Sequence, residues 1–185
     1  MRIISGTARG TKLYTLEGKT TRPTLDRVKE SLFNIIQDKV QDSIFIDLFA
    51  GSGAIGLEAA SRGANKVILC DKSKDAIKII NKNIEKTHLE ENVKLYNLDY
   101  ETLLKTKIKE QADIIYIDPP YESDFAIKSV EIILENKLAN NNSTIIIETD
   151  EEEKILRELE KIEIEITDKR KYGRAILIFL KIRKG

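Results

Sequence analysis

Cysteine, histidine and long apolar runs are nearly missing from this chain of 185 residues, and each scarcity excludes something. The single cysteine, Cys70, has no partner for an internal disulfide and no cysteine or histidine neighbour at metal-ligand spacing, so it reads as a small core residue. The single histidine, His88, falls in a polar stretch between a helical pattern and a strand pattern, which suits a surface residue better than a base or a metal ligand. No metal site is expected. No apolar run approaches the roughly 18 residues needed to cross a bilayer. The opening Met1-Arg2-Ile3-Ile4 has none of the features of a signal peptide, so the expectation is a cytoplasmic protein with no membrane partner. Internal repeats, low-complexity tracts and linkers are absent too.

What is present describes one folded unit. Hydrophobic residues make up 41% of the chain and charged residues 34%, well mixed, which argues against disorder and supports a single domain over residues 1–185 with a sizeable core. Formal net charge is zero, but it is unevenly spread. Residues 1–39 hold eight Lys or Arg against four acids, and residues 169–185 hold seven against none, leaving an acidic middle. Two solvated tails would explain this pattern. If the ends meet in the fold, they would instead form a positive surface suited to phosphates.

Short β-branched runs alternate with helical patterns. Strands are expected at Ile44–Asp47, Lys66–Cys70, Val93–Tyr96, Asp113–Ile117, Thr144–Glu148, Ile162–Thr167 and Ala175–Ile182. Helices are expected near Ile55–Ser61, Lys74–Lys86, Glu101–Lys107, Phe125–Asn136 and Glu151–Glu160. Strand, helix, strand implies parallel pairing, hence an α/β, Rossmann-like sheet of seven mostly parallel strands with helices on both faces. The last two strands are separated only by a short basic loop and should form an antiparallel hairpin. Residues 1–39 read as a small extension, with a hairpin around Gly10 and a helix from about Leu25 to Gln37 capped by Thr24. Residues 40–185 then form the catalytic sheet.

Doubly wound sheets bind ligands at the carboxyl ends of their strands, and four clusters fall there. The first is the run Asp47-Leu48-Phe49-Ala50-Gly51-Ser52-Gly53-Ala54-Ile55-Gly56, a glycine-rich turn from strand to helix. Gly51, Gly53 and Gly56 satisfy a dinucleotide fingerprint, with Asp71 about 20 residues beyond the first glycine. A carboxylate at Asp47 would repel a pyrophosphate but attract the cationic amino group of S-adenosylmethionine, and this favours the second cofactor. Asp71, after the second strand, can accept from both hydroxyls of a ribose. Asp99, after the third, can accept from an adenine amine. Either could equally cap a helix.

The fourth cluster, Asp118-Pro119-Pro120-Tyr121, ends a buried apolar strand. An exocyclic amine on a nucleobase is a poor nucleophile because its lone pair is delocalised into the ring. Acceptors at the Asp118 carboxylate and the Pro119 carbonyl could orient such an amine and stabilise the positive charge developing on nitrogen. The prolines restrict the backbone around them, and Tyr121 offers a face on which a flipped base can stack. An ordinary Asp-Pro turn is the plainer alternative.

Together, the glycine turn and this tetrapeptide resemble the class I amino-methyltransferases. More closely, MRIISGTARGTKL at the start, RPTLDRVKESLFNII from Arg22 to Ile36, IDLFAGSGAIGLEAASRGA from Ile46 to Ala64 and KYGRAILIF from Lys171 to Phe179 resemble the bacterial small-subunit ribosomal RNA guanine-N2 methyltransferases, the RsmD family. The resemblance covers nearly the whole chain. It implies an S-adenosylmethionine-dependent enzyme acting on ribosomal RNA, within small-subunit particles or as naked RNA; a monomer is the expectation. Asp47, Gly51 and Gly53 would then hold the methionine part of the cofactor, Asp71 its ribose and Asp99 its adenine, with Phe49 also in the cofactor site. Asp118, Pro119 and Tyr121 would receive the target guanine. Arg22, Pro23 and Thr24 match the family's N-terminal motif, and Arg9, Arg22, Thr24, Arg27, Pro120 and Arg174 would face the RNA. The ribose acid is Asp71 where relatives usually carry glutamate.

Three other functions compete. Adenine-N6 methylation of nucleic acid uses the same turn and tetrapeptide, although on DNA it normally needs a further recognition domain. An NAD-dependent oxidoreductase explains the glycines but not Asp47 or the tetrapeptide. A non-catalytic RNA-binding module would not need the intact set Asp47, Gly51, Gly53 and Asp118. Tyr172, beside Gly173 and Arg174, is balanced between stacking on RNA and packing at a hairpin turn.

Overall fold

The computed structural model describes residues 1–16 and 23–183, except for the side chains at 23 and 24. Its elements run α1 (Pro23–Val40), β1 (Ile44–Asp47), α2 (Ala54–Ser61), β2 (Lys66–Cys70), α3 (Lys74–Thr87), β3 (Val93–Tyr96), α4 (Tyr100–Thr106), β4 (Ile114–Ile117), α5 (Phe125–Glu135), β5 (Thr144–Thr149), α6 (Glu152–Leu159), β6 (Ile164–Tyr172) and β7 (Ala175–Ile182). The strands form one sheet in the order β3-β2-β1-β4-β5-β7-β6, the first five parallel and β7 antiparallel to both of its neighbours. The strand order reverses between β1 and β4. At such a switch point the two following crossovers diverge to opposite faces and leave a crevice at the strand ends.

Side-chain alternation along each strand builds two cores. In β4, Ile114 and Tyr116 face one way while Ile115 and Ile117 face the other. The first set joins Phe45 and Phe179 beneath α1, α2 and α3, through Leu32, Leu57 and Ile80. The second joins Ile46 and Ile178 beneath α4, α5 and α6, through Leu103, Val130 and Ile155. Burial on both faces explains why the central strands are apolar runs rather than alternating ones.

Most expected elements occur within a residue or two of their expected ends. The clearest difference is at the C-terminus. The segment read as a short basic loop is strand: β6 continues through Asp168, Lys169, Arg170 and Lys171 to Tyr172, with a register shift between Ile166 and Asp168, leaving only Gly173 and Arg174 at the turn. As the sheet's edge, β6 has one side unpaired and is exposed in succession at 165–167 and 169–171, so it accepts a run of charge that a central strand would not. Near Gly10 the expected hairpin is a single antiparallel bridge between Arg2 and Lys12. The first helix begins at Pro23, so Thr24 lies inside it rather than before it, and its side chain is outside the described residues.

The N-terminal segment is fastened by buried polar groups. Glu58 of α2, fully buried, accepts from the backbone N–H groups of Ile4 and Ser5 at 2.8 and 3.1 Å and pairs with Lys29 of α1 and Arg62. Asn83 of α3 accepts from the Tyr14 N–H and donates to the carbonyls of Tyr14 and Ser52. The two basic ends of the chain do approach each other: Lys181 of β7 lies close enough to Lys39 of α1 to help lower the Lys39 pKa, after the larger effect of burial. Their meeting point is the amino end of β5, where Lys39 donates to Thr144. Among the described residues, no helix is long and apolar enough to cross a membrane.

Candidate active site at the carboxyl ends of the strands

A cavity of about 570 Å³ opens at the carboxyl ends of β1, β2, β4 and β5, beside the switch point. Its walls include Asp47, Phe49, Gly51, Asp71, Asp99, Asp118, Pro119, Pro120 and Tyr121. The four sequence clusters therefore meet around one space. Gly53 does not line the cavity. It starts α2 with φ +83°, and a side chain there would contact Ile80 and Leu57 from beneath. Gly51 also has positive φ, with open space where a side chain would stand. The first turn of α2 has no side-chain cap, and Ala54 and Ile55 place the start of this helix on the cavity wall.

Asp47 is 1% exposed. Its carboxylate accepts one backbone bond, from the Phe49 N–H at 3.2 Å, and no cation among the described residues pairs with it. Burial, reinforced by the nearby charges of Asp71 and Glu148, pushes its pKa up to about 7. A buried carboxylate held this way gains from any cation that enters the cavity.

Asp71 holds the turn in shape. One carboxylate oxygen accepts from the Gly51 N–H and the other from the Ser73 N–H, both at 2.9 Å. Asp99 takes the helix-cap role: it accepts from the Thr102 N–H at 2.9 Å and the Thr102 hydroxyl at 2.7 Å, and these bonds hold its carboxyl below the usual range. Both acids remain on the cavity wall.

Beside Asp99 stands an aromatic wall that sequence reading missed except for Phe49. The Phe49 and Phe125 rings are stacked at 6.2 Å, and Tyr100 closes the group at 5.3 Å from Phe49 and 5.0 Å from Phe125. Lys72 lies 6.0 Å from the Phe125 ring centre and also lines the cavity. Tyr100 and Phe125 open their helices directly after strand-end loops. That position was the available signal.

On the other side of the cavity, Tyr116 and Glu148 join Asp47. These three occupy neighbouring strands, with Asp47 in register with Tyr116. Burial, then the nearby charges of Glu148, Asp118 and Asp47, raise the Tyr116 hydroxyl well above its usual range, with a hydrogen bond to Glu148 adding to the effect. Glu148 is the acid that sequence reading overlooked, because nothing in a β5 run ending in Glu148 and Thr149 marks it until the strands are aligned. Tyr121 is 73% exposed, and its hydroxyl pKa is raised by a hydrogen bond to Asp150. The Pro120 carbonyl accepts from the Ser123 hydroxyl at 2.8 Å, closing the turn after the two prolines.

The basic candidates are dispersed. Arg9, Arg27 and Arg174 are exposed and none lines the cavity. Arg9 follows Ala8, whose N–H is held by Ser61 at the end of α2 remote from the glycine turn. Arg27 lies on α1 between the cavity-lining Leu25 and Val28. Arg174 turns from β6 to β7 beyond the carboxyl end of β5. Arg22 lies outside the described residues. Tyr172 is half-buried and packs against the core beneath α1, and His88 is an exposed residue ending α3 in the left-handed conformation.

Comparison with known proteins agrees with this geometry. The family model described as Conserved hypothetical protein 95 matches residues 1–181. The chain is 33% identical over 160 residues to the ribosomal RNA small subunit methyltransferase D of Haemophilus influenzae, covering 84% of this chain and 82% of that one. It is 36% identical over 154 residues to YlbH of Bacillus subtilis, covering 82% and 84%. Among solved structures, yhhF of Escherichia coli superposes with a TM-score of 0.81 over 100% of this chain and 99% of that one at 24% identity. HI0767 of Haemophilus influenzae gives 0.77 over 99% and 98% at 27% identity. With a matching family model along nearly all its length and relatives above 30% identity over most of theirs, this chain belongs to the RsmD methyltransferase family.

Proposed function

We propose that this protein transfers a methyl group from S-adenosylmethionine to the exocyclic N2 amine of a guanine in small-subunit ribosomal RNA. The observation that carries the reading is the meeting, in one cavity, of a buried carboxylate at the glycine turn, with no ion-pair partner among the described residues, and the Asp118-Pro119-Pro120-Tyr121 turn. The residues present fit the cofactor. Asp47 would receive its ammonium, the Gly51 turn its backbone, Asp71 its ribose, and the wall of Phe49, Tyr100 and Phe125 beside Asp99 its adenine.

When bound, S-adenosylmethionine supplies a methyl group on a positively charged sulfur. Asp118 and the Pro119 carbonyl orient the amine toward that methyl group by accepting its two hydrogens. Their partial negative charge stabilises the nitrogen as it becomes cationic. The proton then leaves to Asp118 or to water. Tyr121, exposed at the rim, stacks on the base turned into the site. The ribosomal RNA substrate is read from the named activity of the methyltransferase D relatives.

Methyl transfer from radiolabelled S-adenosylmethionine to naked ribosomal RNA and to small subunits, followed by digestion to nucleosides, tests the proposal. N2-methylguanosine is expected. N6-methyladenosine would keep the mechanism and overturn the substrate, and cofactor binding without transfer to either substrate would overturn the ribosomal assignment.

A further inference from the structure

Tyr14 is a large aromatic residue left 48% exposed on the N-terminal segment. Its backbone is not free to drift: the N–H donates to Asn83 at 2.8 Å and the carbonyl accepts from Asn83 at 2.9 Å. Asn83 is fully buried and also donates to Ser52 in the glycine turn. The Tyr14 backbone is thus fixed relative to the active site, two residues before the cavity-lining Leu16. Over its ring stand two cations of α3, Lys86 at 4.6 Å and Lys82 at 5.9 Å from the ring centre.

These lysines belong to a series. Lys74, Lys78, Lys82 and Lys86 recur at every fourth residue of α3, all exposed, and among the described residues none is in an ion pair. Successive members are about 6 Å apart along the helix axis. Asp75 and Glu85 share the exposed side, so the series retains a net positive charge of two. Asp75 and Glu85 stand three residues from Lys78 and Lys82, a pairing distance on a helix, yet among the described residues no ion pair joins them. Here every fourth position repeats the same sign, and the series ends at an aromatic residue whose backbone is pinned.

We infer that Tyr14, Lys78, Lys82 and Lys86 form a binding track for the RNA strand flanking the target, with a base stacked on the exposed part of the Tyr14 ring and phosphates along the lysines. Exposed aromatic rings beside cations are the general means of holding unpaired nucleotides, and they need no sequence preference. The inference rests on the RNA-methyltransferase reading. It adds a surface outside the catalytic cavity, distinct from Arg9, Arg27 and Arg174, and places it behind the glycine turn.

Three proteins test it: the unaltered chain, Tyr14→Ala, and the triple variant Lys78→Gln, Lys82→Gln, Lys86→Gln. RNA affinity is measured from 50 to 300 mM salt with a single-stranded ribosomal RNA fragment and with small subunits, alongside S-adenosylmethionine affinity and thermal midpoint. The triple variant should lower the slope of log affinity against log salt by about two units. Tyr14→Ala should weaken RNA about tenfold with a nearly unchanged slope. Cofactor affinity should be retained in both, with the KM for RNA raised and kcat at saturating RNA preserved. Unchanged slope and affinity in the variants, with normal RNA binding by the unaltered chain, would overturn the track alone. Absence of RNA binding by the unaltered chain would overturn the underlying reading as well. Loss confined to assembled subunits would assign the surface to a ribosomal protein and overturn the RNA track.

Discussion

The ammonium of Lys29 lies 3.0 Å from the carboxylate of Glu58, and neither side chain reaches solvent. This pair joins α1 to α2, and through the N–H groups of Ile4 and Ser5 it joins both to the N-terminal segment. Burial opposes ionisation of Glu58, but Lys29, the Ile4 N–H and Arg62 together hold its pKa below 4.5. Breaking such a pair from one side strands the other charge. Glu58→Ala should therefore cost about 3–5 kcal/mol, read as a lower denaturant midpoint. Replacing both residues, Lys29→Met with Glu58→Leu, should recover part of the loss. The sign of the pKa shift adds a pH dependence: the stabilisation is present at neutral pH and is lost as pH falls below 4.5.

Gly6 sits where no side chain fits. Its φ is +87°, and a Cβ would stand 1.8 Å from the Ser61 carbonyl oxygen. Gly10 has the same φ with nothing within 4 Å. Gly10→Ala should cost roughly 1–2 kcal/mol of backbone strain, whereas Gly6→Ala should cost clearly more, because backbone must move. Equal thermal midpoints for the two variants would show that the segment near Gly6 packs differently.

Asp47 should couple cofactor affinity to pH. An ammonium binds the ionised carboxylate, and the free protein's pKa is about 7. Affinity for S-adenosylmethionine should fall about tenfold per pH unit below that value, measured by calorimetry. Because folding raises this pKa, ionised Asp47 costs stability above pH 7 and nothing below the ordinary carboxylate range. Asp47→Asn should accordingly stabilise the free protein at pH 8, by on the order of 4 kcal/mol at most, while weakening the cofactor. A variant no more stable than the parent at pH 8 would contradict the assigned cost.

Asp118 and Asp71 should fail in different ways. Asp118→Ala should lower kcat at least 100-fold with nearly unchanged cofactor affinity, since it acts on the amine in the transition state. Asp71→Ala should act on cofactor affinity, both by losing the ribose acceptor and by releasing the Gly51 N–H. Full turnover in the first variant would remove the amine-orienting role.

For Asp99, the cap and the adenine contact can be separated. Asp99→Ala should lose about 1 kcal/mol of stability together with cofactor affinity. Asp99→Ser restores a cap but not the reach into the cavity, so it should recover the thermal midpoint alone. Recovery of both would leave Asp99 as a cap only.

Sequence patterns located the elements because burial on both faces demands apolar strands, and helical spacing demands apolar stripes. They also located Asp47, the Gly51 turn, Asp71 and the Asp118 turn, since chemistry in a parallel sheet gathers at strand ends. Glu148 and Tyr116 were illegible for a complementary reason. Each is an ordinary residue in its own segment and becomes a wall only when β1, β4 and β5 are side by side.

What the chain determined by itself was therefore local and periodic: which segments pair, which face is buried, and where glycine and proline shape the backbone. Tertiary structure decided the electrostatics. Glu58 and Asp47 are both buried carboxylates, yet one is held below the ordinary range by cations brought from 29 and 62, and the other is driven up to about 7 by burial beside the charges of Asp71 and Glu148. Charge energies depend on distance and on exclusion of water, and both are set by residues far apart in the chain.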